Sequence, residues 1–248
     1  MNLGFADIVI LIVVVLLGFF AKGVTGIGAP LVIVPVMAGF TGLEFAVAVI
    51  VIPTVVANTW LLWRTRDAVP EVAWFLWPLL VAGAVGTVMG SWILVNMNDQ
   101  IMVVTLAVIV LGYIVWSLMN KEFKLSNIWA RRLSAPAGFL GGILQGGIGA
   151  SGPVVATYVH ALNLDRAAFV LAVTLPFQVL GAVQIASLAA FGGYNWERLI
   201  AGAIATVPAL VAMGPAMGLG TRLSKETFRN VVLALLAAAA IRLIWSAI

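Results

Sequence analysis

Charged residues are scarce in this chain. Only 9% of the 248 residues are Asp, Glu, Lys or Arg, 63% are hydrophobic, and the mean hydropathy is +1.16. Soluble domains carry about 25% charged residues and about 45–50% apolar ones. Because so few charges do not cover a water-facing surface, lipid is the solvent that fits. The composition predicts an integral membrane protein.

Cysteine is absent altogether. This excludes disulfides, a thiol nucleophile and a Cys-based metal site. The sequence also has no HExxH, Gly-x-Ser-x-Gly or Walker pattern, and its acidic residues stand at the ends of apolar blocks. We therefore expect neither a metal nor a cofactor and no enzyme activity. The net charge of +4 sits in short loops, which indicates a topology signal and no nucleic-acid partner.

The chain contains eight hydrophobic blocks, most of about the 20 residues that a spanning helix needs. Asp7 precedes the first block without a basic region, so we expect a retained segment and not a signal peptide. Most Trp residues lie near block ends, as interface anchors do. The blocks cover about 7–37, 43–63, 70–95, 99–119, 135–160, 166–191, 196–220 and 227–247.

The sequence repeats itself at an offset of about 120 residues. Gly18-Phe19 opens a run that ends in a Gly/Pro cluster at 26–30, and Gly138-Phe139 opens a similar run that ends at 147–153. The later matches keep the same order: Pro53 with Pro176, Gly86 and Gly90 with Gly214 and Gly218, and Trp116 with Trp245. This pattern predicts one four-block unit used twice, a build common among secondary transporters.

The first block of each half is interrupted by its Gly/Pro cluster. Glycine costs about 1 kcal/mol and proline about 3 kcal/mol in a helix, so 23–30 is a poor helix. The flanks 8–22 and 31–40 reach only about 15–23 Å at 1.5 Å per residue, short of the ~30 Å hydrocarbon core. We expect two half-helices joined by a non-helical tip, forming a re-entrant hairpin.

The loop charges distinguish a re-entrant hairpin from a plain crossing. With plain crossings, the Lys and Arg residues other than Lys22 divide 8 against 4 between the two faces, whereas re-entrant hairpins divide them 10 against 2. The positive-inside rule favours the second arrangement. Each half then crosses three times, so the halves are inverted and both termini are extracytoplasmic. The prediction is an all-α transmembrane bundle with a first repeat at 1–120, a cytoplasmic linker at 121–134 and a second repeat at 135–248.

The same two runs resemble the paired glycine motifs of the TauE/SafE sulfite exporter family. They read Gly18-Phe-x-x-x-Gly23-x-x-Gly26-Ile-Gly28-Ala-Pro30 and Gly138-Phe-x-x-Gly142-x-x-x-Gly146-Gly-Ile-Gly149-Ala-Ser-Gly152-Pro153. The resemblance extends over essentially the whole chain. It implies transport of sulfite, sulfoacetate or other organosulfonates across the bacterial cytoplasmic membrane, with small carboxylates in some members. Lys22 departs from the family, where Gly or Ser is usual, so the resemblance does not fix the substrate.

Lys22 is the strongest single candidate for a substrate-binding residue. A lysine at the bilayer centre costs about 2.5–3.5 kcal/mol on insertion scales, and no acidic residue in an apolar block is an obvious partner. It is predicted to pair with an anionic substrate. The alternative is a lysine that snorkels to the interface or pairs with a carbonyl.

The other site candidates are polar groups and glycines that offer donors to an anion. Half-helix N-termini bring N–H groups and a positive dipole to the midplane, although glycines there also serve tight packing. Asn58 and Gln178 follow the matched prolines. His160 is expected at an interface and not in a proton relay. The predicted substrate-binding residues are Lys22, Thr25, Gly26, Gly28, Asn58, Gln145, Gly147, Gly149, Ser151, Gly152 and Gln178.

A secondary carrier of small anions, working by alternating access, is the leading functional prediction. An anion channel would use the same half-helix dipoles, and a scaffold protein would leave Lys22 and the paired breaks unexplained. The expected partners are a small anionic substrate and the lipid bilayer, and a homodimer is left open. Import or export and the driving ion do not follow from these residues.

Overall fold

A computed structural model describes residues 5–25, 29–65, 69–119, 125–219, 236–237 and 240–241. Within these ranges the chain forms helices and short connections without a strand, so the all-α prediction is confirmed. The eighth block lies largely outside the described residues. The helices are α1 (Phe5–Thr25), α2 (Ala29–Thr41), α3 (Leu43–Thr65), α4 (Val69–Asn96), α5 (Asp99–Met119), α6 (Asn127–Ile148), α7 (Gly152–His160), α8 (Arg166–Ala190) and α9 (Trp196–Leu219).

The outer surface of the bundle suits lipid. Four of the described helices have segments long and apolar enough to cross a membrane, at Leu43–Arg64, Leu76–Asn96, Ala168–Ala190 and Trp196–Gly218. Large apolar side chains on α4, α5 and α9 face outward. Exposed Trp63 and Trp129 lie near one end of the bundle and exposed Trp92 and Trp196 near the other, as an aromatic belt requires. The molecule is a multi-pass membrane protein.

One end of the bundle, the Glu44 end, is fixed by polar contacts between loops. The Arg198 guanidinium lies 2.6 Å from the Glu44 carboxylate, and the backbone N–H of Leu43 donates to Asp99. Tyr194 donates its hydroxyl to the carbonyl of Ala48. Burial raises the pKa of Tyr194, against the opposing effect of Arg198, which keeps this phenol a donor. The opposite end, where α3 ends and α4 begins, is called the Arg64 end.

The second interrupted block forms a hairpin that returns to the end from which it started. α6 stops at Gly149, whose φ of +70° is the left-handed cap conformation, and α7 begins three residues later. The backbone N–H of Leu125, before α6, donates to the carbonyl of Ala161, after α7, at 2.9 Å. Both limbs therefore meet at the Arg64 end.

The two hairpins differ from the prediction in the length of their first limbs. α1 has 21 residues and α6 has 22, or about 32 Å each, whereas α2 and α7 have 13 and 9. Glycine interrupts α1 less than its propensity suggests, because Gly18 and Gly23 pack closely against Ile33 and Ala216. α6 also begins at Asn127, so the last part of the predicted linker is helical.

A seam of glycines joins α4 to α6. The helices run parallel, and a Cβ added at Gly138, Gly142 or Gly146 would overlap backbone atoms of α4. Additions at Gly86 and Gly90 would overlap α6 in the same way. Backbones approach this closely only where small residues line both helices. These glycines of the repeat motif therefore serve packing.

The helices of the first half contact those of the second half in the same pattern as the helices of the second half contact those of the first. α1 packs against α9 as α6 packs against α4, and α3 packs against α9 as α8 packs against α4. α3 and α8 pack against each other, each with its matched proline, Pro53 or Pro176, inside the helix. A Cβ added at Gly149 would lie 3.4 Å from Val34 of α2, so the second hairpin reaches the first.

Candidate functional site

Lys22 lies in the last turn of α1 and is fully buried. Its ammonium nitrogen has no hydrogen-bond partner among the described residues. The Nζ atom lies 5.5 Å from the centroid of the Phe177 ring on α8. An aromatic face attracts a cation by about 0.5–2 kcal/mol, which is small beside the loss of hydration. The lysine neither snorkels to an interface nor pairs with a carbonyl of the described residues.

Three side chains on α3 and on α8, the helix that carries Phe177, also have buried polar atoms without a partner among the described residues. They are Asn58 on α3, with both amide atoms free, and Thr174 and Gln178 on α8. Gln178 flanks Phe177 in sequence, and its amide nitrogen donates to the hydroxyl of Thr59 at 3.0 Å. This bond places Asn58 and Gln178 at the same crossing of α3 and α8.

We call Lys22, Asn58, Thr174, Phe177 and Gln178 the Lys22 cluster. Most buried polar atoms in folded proteins are satisfied, and each unsatisfied one costs about 1–3 kcal/mol. A buried amino group on α1 and unpartnered amide and hydroxyl groups on α3 and α8 are therefore costly for the fold alone. Together they offer positive charge and donors, which is what an anion needs in a low-dielectric site.

The acidic groups nearest in sequence are kept away from the Lys22 cluster. α2 has no ionisable residue, and those of α3 and α9 stand at the helix ends. Glu44 is held in its ion pair with Arg198 at the Glu44 end. Because the low-dielectric interior raises the effective strength of any charge, a protonated Lys22 would attract an anion strongly.

The predicted candidates at the second tip form a closed hydrogen-bond network. The amides of Gln145 and Gln184 bond to each other at 2.8 Å, and Gln184 also donates to the Gln145 carbonyl at 2.6 Å. Ser151 donates its hydroxyl, at 2.8 Å, and its backbone N–H to the Gln145 side-chain oxygen. These groups hold the tip against α8, and their hydrogen bonds are made with one another.

The glycines predicted for the site have different surroundings. Gly149 caps α6 and touches Val34 and Val47, whereas a Cβ at Gly147 would meet atoms only at 3.7 Å. Gly152 begins α7. Gly26, Gly28 and the Thr25 side chain lie outside the described residues.

Sequence reasoning missed Phe177 and left Thr174 out of its final set. Phe177 stands between Pro176 and Gln178, so the proline match pointed to the right turn of α8. An aromatic residue in an apolar helix carries no signal of its own. Its role becomes visible only through the position of Lys22 on a distant helix.

Two further features lie away from the Lys22 cluster. An apolar groove of about 420 Å³ runs between α5, α6 and α7, lined by residues that include Tyr113, Leu140 and Thr157. His160 is exposed at the end of α7, as predicted, with its ring edge-on to Phe169. Among the described residues, no three His, Cys, Asp or Glu side chains come together.

Comparison with known proteins adds the family. The model of the sulfite exporter TauE/SafE family matches residues 10–243, nearly the whole chain. Searches of curated proteins and of solved structures gave no match. The match confirms the resemblance read from the paired glycine motifs and makes the protein a membrane transporter by family. The chain belongs to the TauE/SafE sulfite exporter family.

Proposed function

We propose that this protein is a secondary carrier of a small anion across the bacterial cytoplasmic membrane. The family points to sulfur oxyanions, and sulfite, sulfoacetate or another organosulfonate is the proposed substrate. The observation that carries the proposal is the buried amino group of Lys22, unpartnered among the described residues, together with the unpartnered polar atoms of α3 and α8. An anion in this position would supply the missing partner of each donor.

The Lys22 cluster is proposed to bind the anion as follows. The ammonium pairs with the negative charge, while the Asn58 amide and the Thr174 hydroxyl donate to its oxygens. A half-turn of the Gln178 amide would add a third donor, and its oxygen would accept from Thr59 once that hydroxyl turns away from the carbonyl of Val55. Phe177 offers an apolar wall to the organic part of a sulfonate. Small carboxylates also carry a negative charge on oxygens that accept hydrogen bonds, and they are the second substrate class.

Alternating access is proposed to arise from two inverted repeats, 1–120 and 135–248, joined at 121–134. The exchange of roles between α1 with α9 and α6 with α4 supports this relation. The Lys22 cluster lies between helices of both halves, so a rocking movement would open it to one side at a time. Arg64, Arg131 and Arg132 belong to the Arg64 end, and by the positive-inside rule this supports the proposal that this end is cytoplasmic and both termini are extracytoplasmic.

Flux into proteoliposomes tests the carrier proposal. Radiolabelled sulfite, methanesulfonate and sulfoacetate are each offered to liposomes with and without the protein. A carrier gives saturable uptake, and unlabelled anion inside accelerates entry of the label. Uptake that stays linear in concentration, with conductance and without exchange, would identify a channel instead. No flux of any of the three anions would reject the sulfur-anion proposal.

A further inference from the structure

Among the residues that the structure describes, the charged groups of the helices around Lys22 stand at helix ends. α2 has none, and those of α3 and α9 are Glu44, Arg64, Glu197 and Arg198. The remaining charged residues of α1 and α8, Asp7 and Arg166, belong to the first turns of these helices.

The charge of Lys22 is therefore costly whenever the site is empty. The carboxylate of Glu44 is paired with Arg198 at 2.6 Å, so it does not compensate the ammonium. Phe177 supplies only the weak attraction of an aromatic face. Two changes remove the cost: the ammonium gives up its proton, or an anion enters beside it. Buried lysines elsewhere do change protonation readily with their surroundings.

We propose that Lys22 is the coupling site of the carrier and takes up one proton together with each anion. This inference rests on the proposed function. In the empty site the side chain is a neutral amine. The amine accepts a proton from water on the side of entry, and the resulting ammonium pairs with the anion. On the other side the anion leaves, the proton returns to water, and the amine is restored.

This cycle defines the driving force. A monovalent anion moves with one proton, so the loaded site carries no net charge and transport follows the pH difference and not the membrane potential. The empty carrier returns without charge as well, which avoids moving a bare ammonium across the bilayer. A dianion would leave one charge uncompensated in the site. Among the proposed substrates, the cluster is therefore expected to favour monoanions such as hydrogen sulfite or a simple alkanesulfonate over sulfoacetate, which carries two negative charges at neutral pH.

Calorimetry in buffers with different ionisation enthalpies tests the proton uptake directly. Methanesulfonate is the probe because it stays a monoanion throughout pH 6–9. Its binding to the purified wild type is measured in two buffers at each pH. We expect uptake of about one proton per anion bound at the alkaline end. The uptake should fall toward zero at the acidic end, where the empty lysine is already protonated.

Two substitutions sharpen this test. Lys22→Arg keeps a permanent charge, because guanidinium does not deprotonate in proteins. It should bind methanesulfonate without proton uptake at any pH. Lys22→Met, which keeps the length of the side chain, should weaken binding at least tenfold. Size-exclusion profiles show whether each variant is folded, and the wild-type measurement is decisive even where a variant is not.

The outcomes separate the two claims. Anion binding by the wild type with no buffer dependence at any pH would overturn the proton coupling and leave the proposed carrier function standing. Equal proton uptake by the wild type and Lys22→Arg would place the proton elsewhere and overturn the assignment to Lys22. Absence of binding for methanesulfonate, sulfite and sulfoacetate alike would reject the proposed function and this inference with it.

Discussion

At the scale of single residues, the site is a set of buried polar groups left without partners. Lys22, Asn58 and Gln178 were predicted from intramembrane charge and from their position after matched prolines, and all three have unpartnered atoms. Gln145 and Ser151 had equal claims from sequence, yet they bond to each other. A polar residue in an apolar block is visible in a sequence, whereas its hydrogen-bond partner depends on which helices pack against each other.

Asn58 and Gln184 allow a comparison of unsatisfied and satisfied amides. Asn58→Leu removes two unpartnered atoms. The free energy of unfolding, measured by thermal unfolding in detergent, should therefore stay unchanged or rise by ~1 kcal/mol, while the anion flux falls. Gln184→Leu breaks the bonds to Gln145 and should destabilise the protein by about 1–3 kcal/mol. Strong destabilisation by Asn58→Leu would show that its amide has a structural partner.

At the scale of elements, the two hairpins and the glycine seam determine the architecture. The breaks were predicted from clustered Gly and Pro residues. The helix end at Ile148 confirms the second, whereas residues 26–28 of the first lie outside the described residues. The long first limbs were not foreseen. Gly23 packs against Ala216, and tertiary contact of this kind outweighs a propensity of about 1 kcal/mol. The sequence alone does not reveal which glycines have a neighbouring backbone.

The α4–α6 seam gives a prediction with a matched control. Gly142→Ala places a methyl group on the carbonyl of Gly83, and overpacking should cost at least ~2 kcal/mol. Gly112→Ala on α5 meets nothing within 4 Å and should stabilise its helix by about 0.5–1 kcal/mol. Thermal unfolding of both variants in the same detergent checks the difference. Equal stability would mean that α4 and α6 do not approach so closely.

Gly149 separates backbone strain from packing at the second tip. The left-handed backbone conformation, with φ of +70° at Gly149 and +78° at Gly192, would destabilise an alanine at either position by about 1–2 kcal/mol. Only at Gly149 would the added Cβ also press on Val34 and Val47, at 3.3–3.4 Å. Gly149→Ala should therefore lower the unfolding temperature more than Gly192→Ala. The reverse order would contradict the close packing of the two hairpins.

At the scale of the whole molecule, the account requires each hairpin to enter and leave on one face of the membrane. The charge count predicted this arrangement, and the bond between Leu125 and Ala161 supports it for the second hairpin. The inverted relation of the halves remains a prediction. The sequence does not predict how deep in the membrane each hairpin tip lies, because this depth depends on the lengths of the helices, which composition does not determine.

The absence of cysteine makes the topology directly testable. Ser126→Cys and His160→Cys, at exposed positions before α6 and at the end of α7, should react with a membrane-impermeant maleimide from the cytoplasmic face. Asn98→Cys, exposed at the Glu44 end, should react from the other face. Ser126→Cys and His160→Cys on opposite faces would establish a plain crossing and remove the inverted model.

The central claim is that Lys22 binds the transported anion. Its most direct test is labelled-anion flux in proteoliposomes with wild type, Lys22→Ala and the control Thr54→Val, which removes a buried hydroxyl bonded only to its own helix at Ile50. We predict wild-type flux for Thr54→Val and loss of at least 90% of the flux for Lys22→Ala, with normal expression and folding, because an unpaired anion is costly in a dry site. Full flux in Lys22→Ala would contradict the account.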